Sequence, residues 1–444
     1  MALFGTDGVR GVAGVDLTEQ LAHDLAVAAA HVLTDIGEFT GHKPKAIIAQ
    51  DSRESGGYLE RAITRGLSES GVDVVDVIQV GILPTPAVSI LVRELGCDLG
   101  VMISASHNPA SDNGIKFFAR DGRKLADSVE AQIELQLGKP WSPDSNKGEV
   151  AKDESARERY INHLLTTINS SFAGLKIVVD CANGAASFVA PEVLRRAGAE
   201  VTAISDKPNG TNINENCGST HLENLIAKVI EVGADLGIAH DGDADRVLAV
   251  DHEGAIVDGD FILGILAQHT ELPTKKLVGT VMTNLGLIHA LEKRGIGFVA
   301  TPVGDRYVLE EMLAGGHSLG GEQSGHVIMR RFATTGDGIL TAIHLISEVA
   351  TSKKSLKELA GFMKRYPQIL INVTGVDKSR LKSNQVIQNK VAEIEGELGK
   401  RGRVLLRASG TEPVIRVMVE AESNELAEGL ATALATLVKS ELAL

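Results

Sequence analysis

Cysteine is scarce in this chain: Cys97, Cys181 and Cys217 are the three present, far apart, odd in number and without a Cys-x-x-Cys pair. That excludes a disulfide framework and a cysteine metal site, and it fits a reducing cytoplasm, the expected location. Long apolar runs are missing too. No stretch is long enough to span a bilayer, and Asp7 and Arg10 stand where a signal peptide needs apolar residues, so no membrane partner is expected. Blocks of lysine or arginine are also absent. With 44 basic against 58 acidic residues, the formal net charge is −14. Such a surface repels a phosphate backbone, so nucleic acid is not an expected partner; a small anionic substrate would need a local basic pocket. There is no Walker A sequence, no Gly-x-Gly-x-x-Gly and no Gly-x-Ser-x-Gly, which removes the commonest nucleotide-binding and serine-hydrolase readings.

What is present is ordinary for an enzyme: 43% hydrophobic and 23% charged residues in 444 positions, enough for roughly three domains, or four if one is small. An architectural repeat runs along the chain. Residues 46–49, 58–70, 72–78, 84–95 and 99–103 alternate strand-like and helix-like patterns and end in the polar loop 104–108. The same order recurs over 175–179, 188–197, 201–204, 222–232 and 236–239, ending in the loop 240–246. A noisier third copy covers 278–282, 287–294, 298–300 and 307–313 and ends in the loop 322–326. Alternation of this kind predicts βαβ units and mixed, mostly parallel sheets, with ligands at the carboxyl ends of the strands. Outside the repeat, residues 16–36 read as an amphipathic helix with Asp16 and Glu19 at capping-box spacing. The piece from Pro367 onward, with strands at 404–407 and 414–419, reads as a small α+β domain.

Four loops carry chemistry. In Asp241-Gly242-Asp243-Ala244-Asp245-Arg246 three carboxylates at every second residue project to one side of an extended strand or curl round one ion. Close together they need a cation, and Mg²⁺ suits oxygen ligands of this kind. Arg246 and His252 stand where an EF-hand needs glycine and glutamate, and taken alone the loop is also compatible with a solvated acidic turn. In Ser104-Ala105-Ser106-His107-Asn108-Pro109 a hydroxyl ends a strand beside an imidazole, either a nucleophile or turn chemistry. Asp112-Asn113-Gly114 reads as a turn that delivers Lys116 on a strand at 115–118, as an acid/base group, a phosphate ligand or a solvated side chain. Gly321-Glu322-Gln323-Ser324-Gly325-His326 offers a carboxylate, a hydroxyl and an imidazole, suited to sugar hydroxyls and proton transfer, or a plain polar turn. Between two strands, Arg407-Ala408-Ser409-Gly410-Thr411-Glu412-Pro413 with Arg416 can form a nest of amides and hydroxyls flanked by two guanidinium groups, a recipe for phosphate.

Together with Phe4-Gly5-Thr6-Asp7-Gly8-Val9-Arg10-Gly11 at the N-terminus, these motifs resemble the α-D-phosphohexomutase family over essentially the whole chain, and Gln323 is similar to its glucosamine branch. The resemblance implies three related α/β domains with mixed sheets and a smaller C-terminal α+β domain around a central cleft. The corresponding divisions fall at 1–150, 151–256, 257–366 and 367–444. It implies Ser106 as the phosphorylated nucleophile, which with Asp241, Asp243 and Asp245 holds one Mg²⁺ per chain. It further implies Lys116, His326 and Arg10 for proton transfer and charge stabilisation, Glu322 and Ser324 for sugar hydroxyls, and Arg407, Ser409, Gly410, Thr411 and Arg416 for phosphate. His107 and Arg246 support the site. The expected ligands are a small phosphosugar and glucosamine 1,6-bisphosphate as activator and intermediate; activating phosphorylation at Ser106 is expected, and a homodimer is allowed. An inactive sugar-phosphate sensor is a third, disfavoured reading, since sensing alone needs neither the nucleophile nor the metal loop; two other readings compete. One is a phosphomannomutase or phosphoglucomutase. The other is an aspartyl-nucleophile phosphatase, since Asp243-Ala244-Asp245-Arg246-Val247 fits that pattern after an apolar strand.

Overall fold

A computed structural model describes residues 3–5, 7–39, 41–70, 74–142, 147–409 and 413–444. The chain divides into two compact units: residues 1–280 with 301–360, and residues 281–300 with 361–444.

The larger unit carries the first two copies of the repeat whole and the third in part, since residues 281–300 group with the smaller unit. Its first sheet has seven strands in the order Phe4–Gly5, Gly8–Val12, Asp112–Ala119, Leu99–Ile103, Lys45–Gln50, Asp76–Ile82 and Val150–Lys152. Leu99–Ile103, Lys45–Gln50 and Asp76–Ile82 run parallel, and Asp112–Ala119 returns antiparallel beside Leu99–Ile103. A five-stranded sheet repeats the plan: Leu236–His240 lies parallel to Lys176–Asp180 and antiparallel to Val247–Asp251. In the third, Leu319–Gly321 lies parallel to Lys276–Thr280 and antiparallel to Val327–Met329. Each copy therefore presents the same device, a parallel strand, a polar loop at its carboxyl end, and an antiparallel return. Residues 104–111, 241–246 and 322–326 are those three loops. The strands that deliver them, Leu99–Ile103 and Leu236–His240, are buried at every position, as parallel strands covered on both faces must be.

Helix Glu19–Asp35 covers the first sheet through Leu25, Ala29, Val32 and Leu33. Its cap differs from the sequence expectation. Thr18, one turn before Leu21, accepts that residue's N–H at 3.1 Å, whereas Asp16 accepts from Val12 N–H in the preceding loop. The turn expected at Asp112-Asn113-Gly114 is instead the start of the strand Asp112–Ala119. Pairing with Gly8–Val12 overrides the local turn signal, and the buried Asn113 amide finds Ser55 Oγ at 2.8 Å.

The smaller unit holds an antiparallel sheet in the order Gln368–Thr374, Val414–Glu420, Arg403–Ala408. Helices Gln385–Leu398 and Asn424–Leu442 bury Ile387, Ile394, Leu434 and Val438 in a core with Ile415, Val417 and Val419. Both strands expected here are present, and Gln368–Thr374 adds a third. Among the described residues no helix is long and apolar enough to cross a membrane.

Candidate active site

The Asp-rich loop curls rather than extends. Ala244 takes a left-handed φ of +54°, its N–H bonds to Asp241 O at 3.1 Å, and the turn brings the three carboxylates to one point. One oxygen from each of Asp241, Asp243 and Asp245 lies within 4.8 Å of the other two, and all three residues are buried. Asp243 Oδ1 and Asp245 Oδ1 are buried without a hydrogen bond. Buried carboxylate oxygens are costly to leave unpaired, so a trio of this kind fits an oxygen-seeking cation. Burial pushes the Asp241 carboxyl well above its ordinary range, and the charges of Asp245 and Asp243 add to that. Burial pushes Asp245 the same way, but His326, Lys116 and Arg246 outweigh it and hold Asp245 ionised.

Ser106 meets this trio. Its hydroxyl donates to Asp241 Oδ2 at 2.5 Å and lies 3.3 Å from His107 Nδ1. Ser106 itself has a left-handed φ of +52°, a strained conformation for a non-glycine residue. The surrounding loop over-determines it. Ser106 N–H donates to Ser104 Oγ at 2.9 Å, and Ser104 Oγ donates to Asp51 at 2.7 Å. Arg53, fully buried, binds Asp51 and gives Nη2 to Ser106 O at 3.1 Å and Asn108 O at 2.8 Å. Asn214 Nδ2 reaches the same two carbonyls at 2.8 and 2.9 Å. His107 is neutral: burial, with Arg246 and Arg10 nearby, pulls its imidazole down to about 4.

Lys116, on the return strand, is 1% exposed and bridges Asp243 at 2.8 Å and Asp7 at 2.9 Å. Burial alone would lower its ammonium, but Asp243 and Asp7 reverse the direction and keep it cationic. Arg10, on Gly8–Val12, also pairs with Asp7. Lys124 links Asp7 to Asp305, the latter at 2.6 Å, and Asp305 lies 3.6 Å from His326 Nε2. On its other side His326 Nδ1 faces Asp245 at 3.5 Å. Glu322, half-buried, accepts from Gly304 N–H at 3.0 Å, and Ser324 is exposed beside it.

The phosphate-type loop belongs to the smaller unit. Arg407 and Arg416 are directly paired across Arg403–Ala408 and Val414–Glu420. Burial, then the charge of Arg416, lowers the Arg407 guanidinium, the response of two like charges held side by side. Ser409 is buried, and its carbonyl accepts from Lys378 Nζ at 2.8 Å. Gly410 and Thr411, the centre of the expected nest, lie outside the described residues.

The four phosphoglucomutase/phosphomannomutase domains match in order: alpha/beta/alpha domain I over residues 1–140, domain II over 158–254, domain III over 258–366 and the C-terminal domain over 370–437. The chain belongs to the phosphoglucomutase/phosphomannomutase family. Within this family it is 55% identical to a phosphoglucosamine mutase of Thermobifida fusca, over 100% of this chain and 99% of that protein. It is likewise 55% identical to the phosphoglucosamine mutase of Cutibacterium acnes, over 100% and 99%. Among solved structures, a phosphoglucomutase/phosphomannomutase family protein of Burkholderia thailandensis shares the fold at a TM-score of 0.83 and 22% identity, covering 99% of this chain and 97% of that one. An Aspergillus fumigatus N-acetylphosphoglucosamine mutase, crystallised with GlcNAc-6P and magnesium, shares it at 0.70 and 19%, over 98% and 95%.

Seen as a member of this family, the chain brings Ser106, His107, Lys116, Asp241, Asp243, Asp245, Arg246, His326 and Arg10 into one connected network in the larger unit. Sequence reasoning passed over Arg53, Asn214 and Thr85, whose hydroxyl donates to Asp243 Oδ2 at 2.6 Å. It also passed over Lys124 and Asp305. Asp51-Ser52-Arg53 follows the strand Lys45–Gln50 directly, so its place at a parallel strand's carboxyl end was the available signal.

Proposed function

We propose that this chain is a phosphoglucosamine mutase, interconverting glucosamine 6-phosphate and glucosamine 1-phosphate through a phosphoserine at Ser106 and glucosamine 1,6-bisphosphate. The product would feed synthesis of UDP-N-acetylglucosamine. The observation that carries the reading is the Ser106 hydroxyl, 2.5 Å from one carboxylate of a buried aspartate trio with unpaired oxygens.

Asp241, Asp243 and Asp245 would hold one Mg²⁺, joined by an oxygen of Ser106 or its phosphate. When bound, the ion offsets the charge of the phosphoserine and polarises its phosphorus. The chain's own groups do the remainder. Arg407, Ser409, Gly410, Thr411 and Arg416 bind the substrate's existing phosphate, with Lys378 as a further cation beside Ser409. Glu322 and Ser324 orient sugar hydroxyls. The sugar O1 forms a bond to the phosphorus as the bond from phosphorus to Ser106 Oγ breaks, and the O1 proton passes by way of a base in the site to the released Ser106 Oγ. The bisphosphate reorients, its 6-phosphate returns to Ser106 Oγ, and glucosamine 1-phosphate leaves. Lys116, kept cationic by Asp243 and Asp7, stabilises charge in the resting arrangement; Arg10 and Arg246 add to the positive field over the transferring group. The neutral His107 offers a lone pair beside Ser106 Oγ.

Steady-state kcat/KM for glucosamine, glucose and mannose phosphates tests the substrate. The glucosamine pair should be preferred; a preference for mannose or glucose phosphates would move the chain to another branch. Release of inorganic phosphate as the main product would instead favour the aspartyl phosphatase.

A further inference from the structure

Between the return strand Val327–Met329 and the helix Gly338–Ser352, three consecutive backbone amides are spent on the site. Gly336 N–H donates to His326 Nε2 at 3.0 Å. Asp337 N–H donates to Val327 O at 3.3 Å, and Gly338 N–H donates to Ala244 O, at the apex of the aspartate loop, at 3.0 Å. We propose that Gly336-Asp337-Gly338 is a positioning clamp that sets His326 and the metal loop relative to one another. The proposal deepens the mutase reading above and rests on it.

Both glycines are required by space. Neither has a left-handed φ, so neither serves to make a turn. A Cβ on Gly336 would meet three atoms of the His326 ring at 2.4–2.5 Å. A Cβ on Gly338 would meet Arg246 O at 2.2 Å and Ala244 O at 3.0 Å, backbone atoms with nowhere to go. Only bare backbone can approach both loops this closely.

The residue between them is the anchor. Asp337 is fully buried and caps its helix, accepting from Leu340 N–H at 2.9 Å. Its other oxygen accepts from the hydroxyl of Tyr160, also fully buried, at 2.9 Å. The clamp is thus tied to the helix Ala156–Thr166, which precedes the second sheet in the chain, and to the helix Gly338–Ser352 that follows the clamp itself. His326, held from behind, keeps Nδ1 on Asp245, a member of the trio. An imidazole that orients a ligating carboxylate is a known route to tuning metal sites. Neither glycine touches substrate or reacting atoms in this account; both act through their partners.

The two glycines therefore fail differently. Gly336→Ala should displace the imidazole and lower kcat by roughly 10–100-fold, as small misplacements at reacting centres do. Its KM should stay near wild type, and its Mg²⁺ affinity, read by calorimetry without substrate, should fall by only a few-fold, roughly two- to five-fold, the share carried through Asp245. Gly338→Ala should instead weaken Mg²⁺ by roughly ten-fold or more. In a His326→Ala background, Gly336→Ala should change kcat by less than about two-fold, because its target is gone. Tyr160→Phe keeps the ring volume and should lower kcat with KM unchanged, which tests the anchor even if the glycine variants do not fold. The proposal is overturned if Gly336→Ala is as damaging without His326 as with it, if Gly338→Ala leaves Mg²⁺ affinity unchanged, or if Tyr160→Phe leaves kcat unchanged. The Mg²⁺ titration does not depend on which phosphosugar is turned over. A failed clamp and a failed substrate assignment are therefore separable.

Discussion

At the scale of the residue, the site runs on buried charge. Asp241 is the clearest case. Burial and two neighbouring carboxylates raise its carboxyl, so without metal it holds a proton into a higher pH range than an exposed aspartate. A cation must displace that proton. Mg²⁺ affinity should therefore fall as pH falls, and binding should release a proton, measurable as a buffer-dependent heat. In Asp241→Asn, affinity should be weaker and nearly independent of pH in that range; a steep dependence in this variant would assign the proton to another group. Arg53 is the second case. A guanidinium with no exposure gives hydrogen bonds to Asp51 and to the carbonyls of Ser106 and Asn108. Arg53→Met leaves buried Asp51 without its guanidinium, although Asn214 still serves the two carbonyls, and should lower stability by about 3–5 kcal/mol, read as a lower Tm or denaturant midpoint. A loss near zero would mean that the phosphoserine loop holds its shape unaided.

At the scale of the element, the repeated strand, loop and return strand explain what was legible. Leu99–Ile103 and Leu236–His240 were readable because a buried parallel strand is a continuous apolar run that stops abruptly at polar residues. The loops they deliver were readable for the same reason. Asp112-Asn113-Gly114 was misread because a local turn signal cannot report a strand partner about a hundred residues upstream at Gly8–Val12. Thr18 and Asp16 exchanged capping roles for a similar reason: either side chain can satisfy a free amide, and only the surrounding loop decides which. Arg53, Lys124 and Asp305 were passed over because a single charged residue in a sequence looks like surface until the fold buries it, as with Arg53, or pairs it half-buried, as with Lys124 and Asp305. Element packing also makes a prediction. His344, on Gly338–Ser352, sits against Phe332 with ring centroids 4.9 Å apart and reaches Thr167 Oγ1 at 3.2 Å. Burial, with Arg331 nearby, pulls its imidazole down to about 4. The unfolded chain then binds a proton that the native state refuses, and stability is lost as pH falls from about 6.5 toward 4. His344→Gln should remove about 1–2 kcal/mol of that acid sensitivity, visible as a flatter dependence of Tm on pH; an unchanged slope would locate the acid-sensitive group elsewhere.

At the scale of the whole molecule, composition and site answer to different demands. The chain carries a formal net charge of −14, yet Arg10, Lys116, Lys124, Arg246, Arg407 and Arg416 stand on or beside the elements that carry the functional loops. A net negative chain of this kind can still gather local positive charge, and such a cluster suits a small phosphorylated ligand. The threefold plan was visible as a rhythm of strands and helices. The grouping into two compact units was not, because contacts between successive α/β copies leave no periodic trace in the sequence. The proposed reaction depends on covalent relay through one hydroxyl, that of Ser106. Intact mass of the protein before and after incubation with glucosamine 1,6-bisphosphate and Mg²⁺ tests it most directly. A gain of one phosphoryl group that is lost in Ser106→Ala and kept in Ser104→Ala is the predicted result. A gain that survives Ser106→Ala, or none in the unaltered protein whether fully dephosphorylated or not, would contradict it.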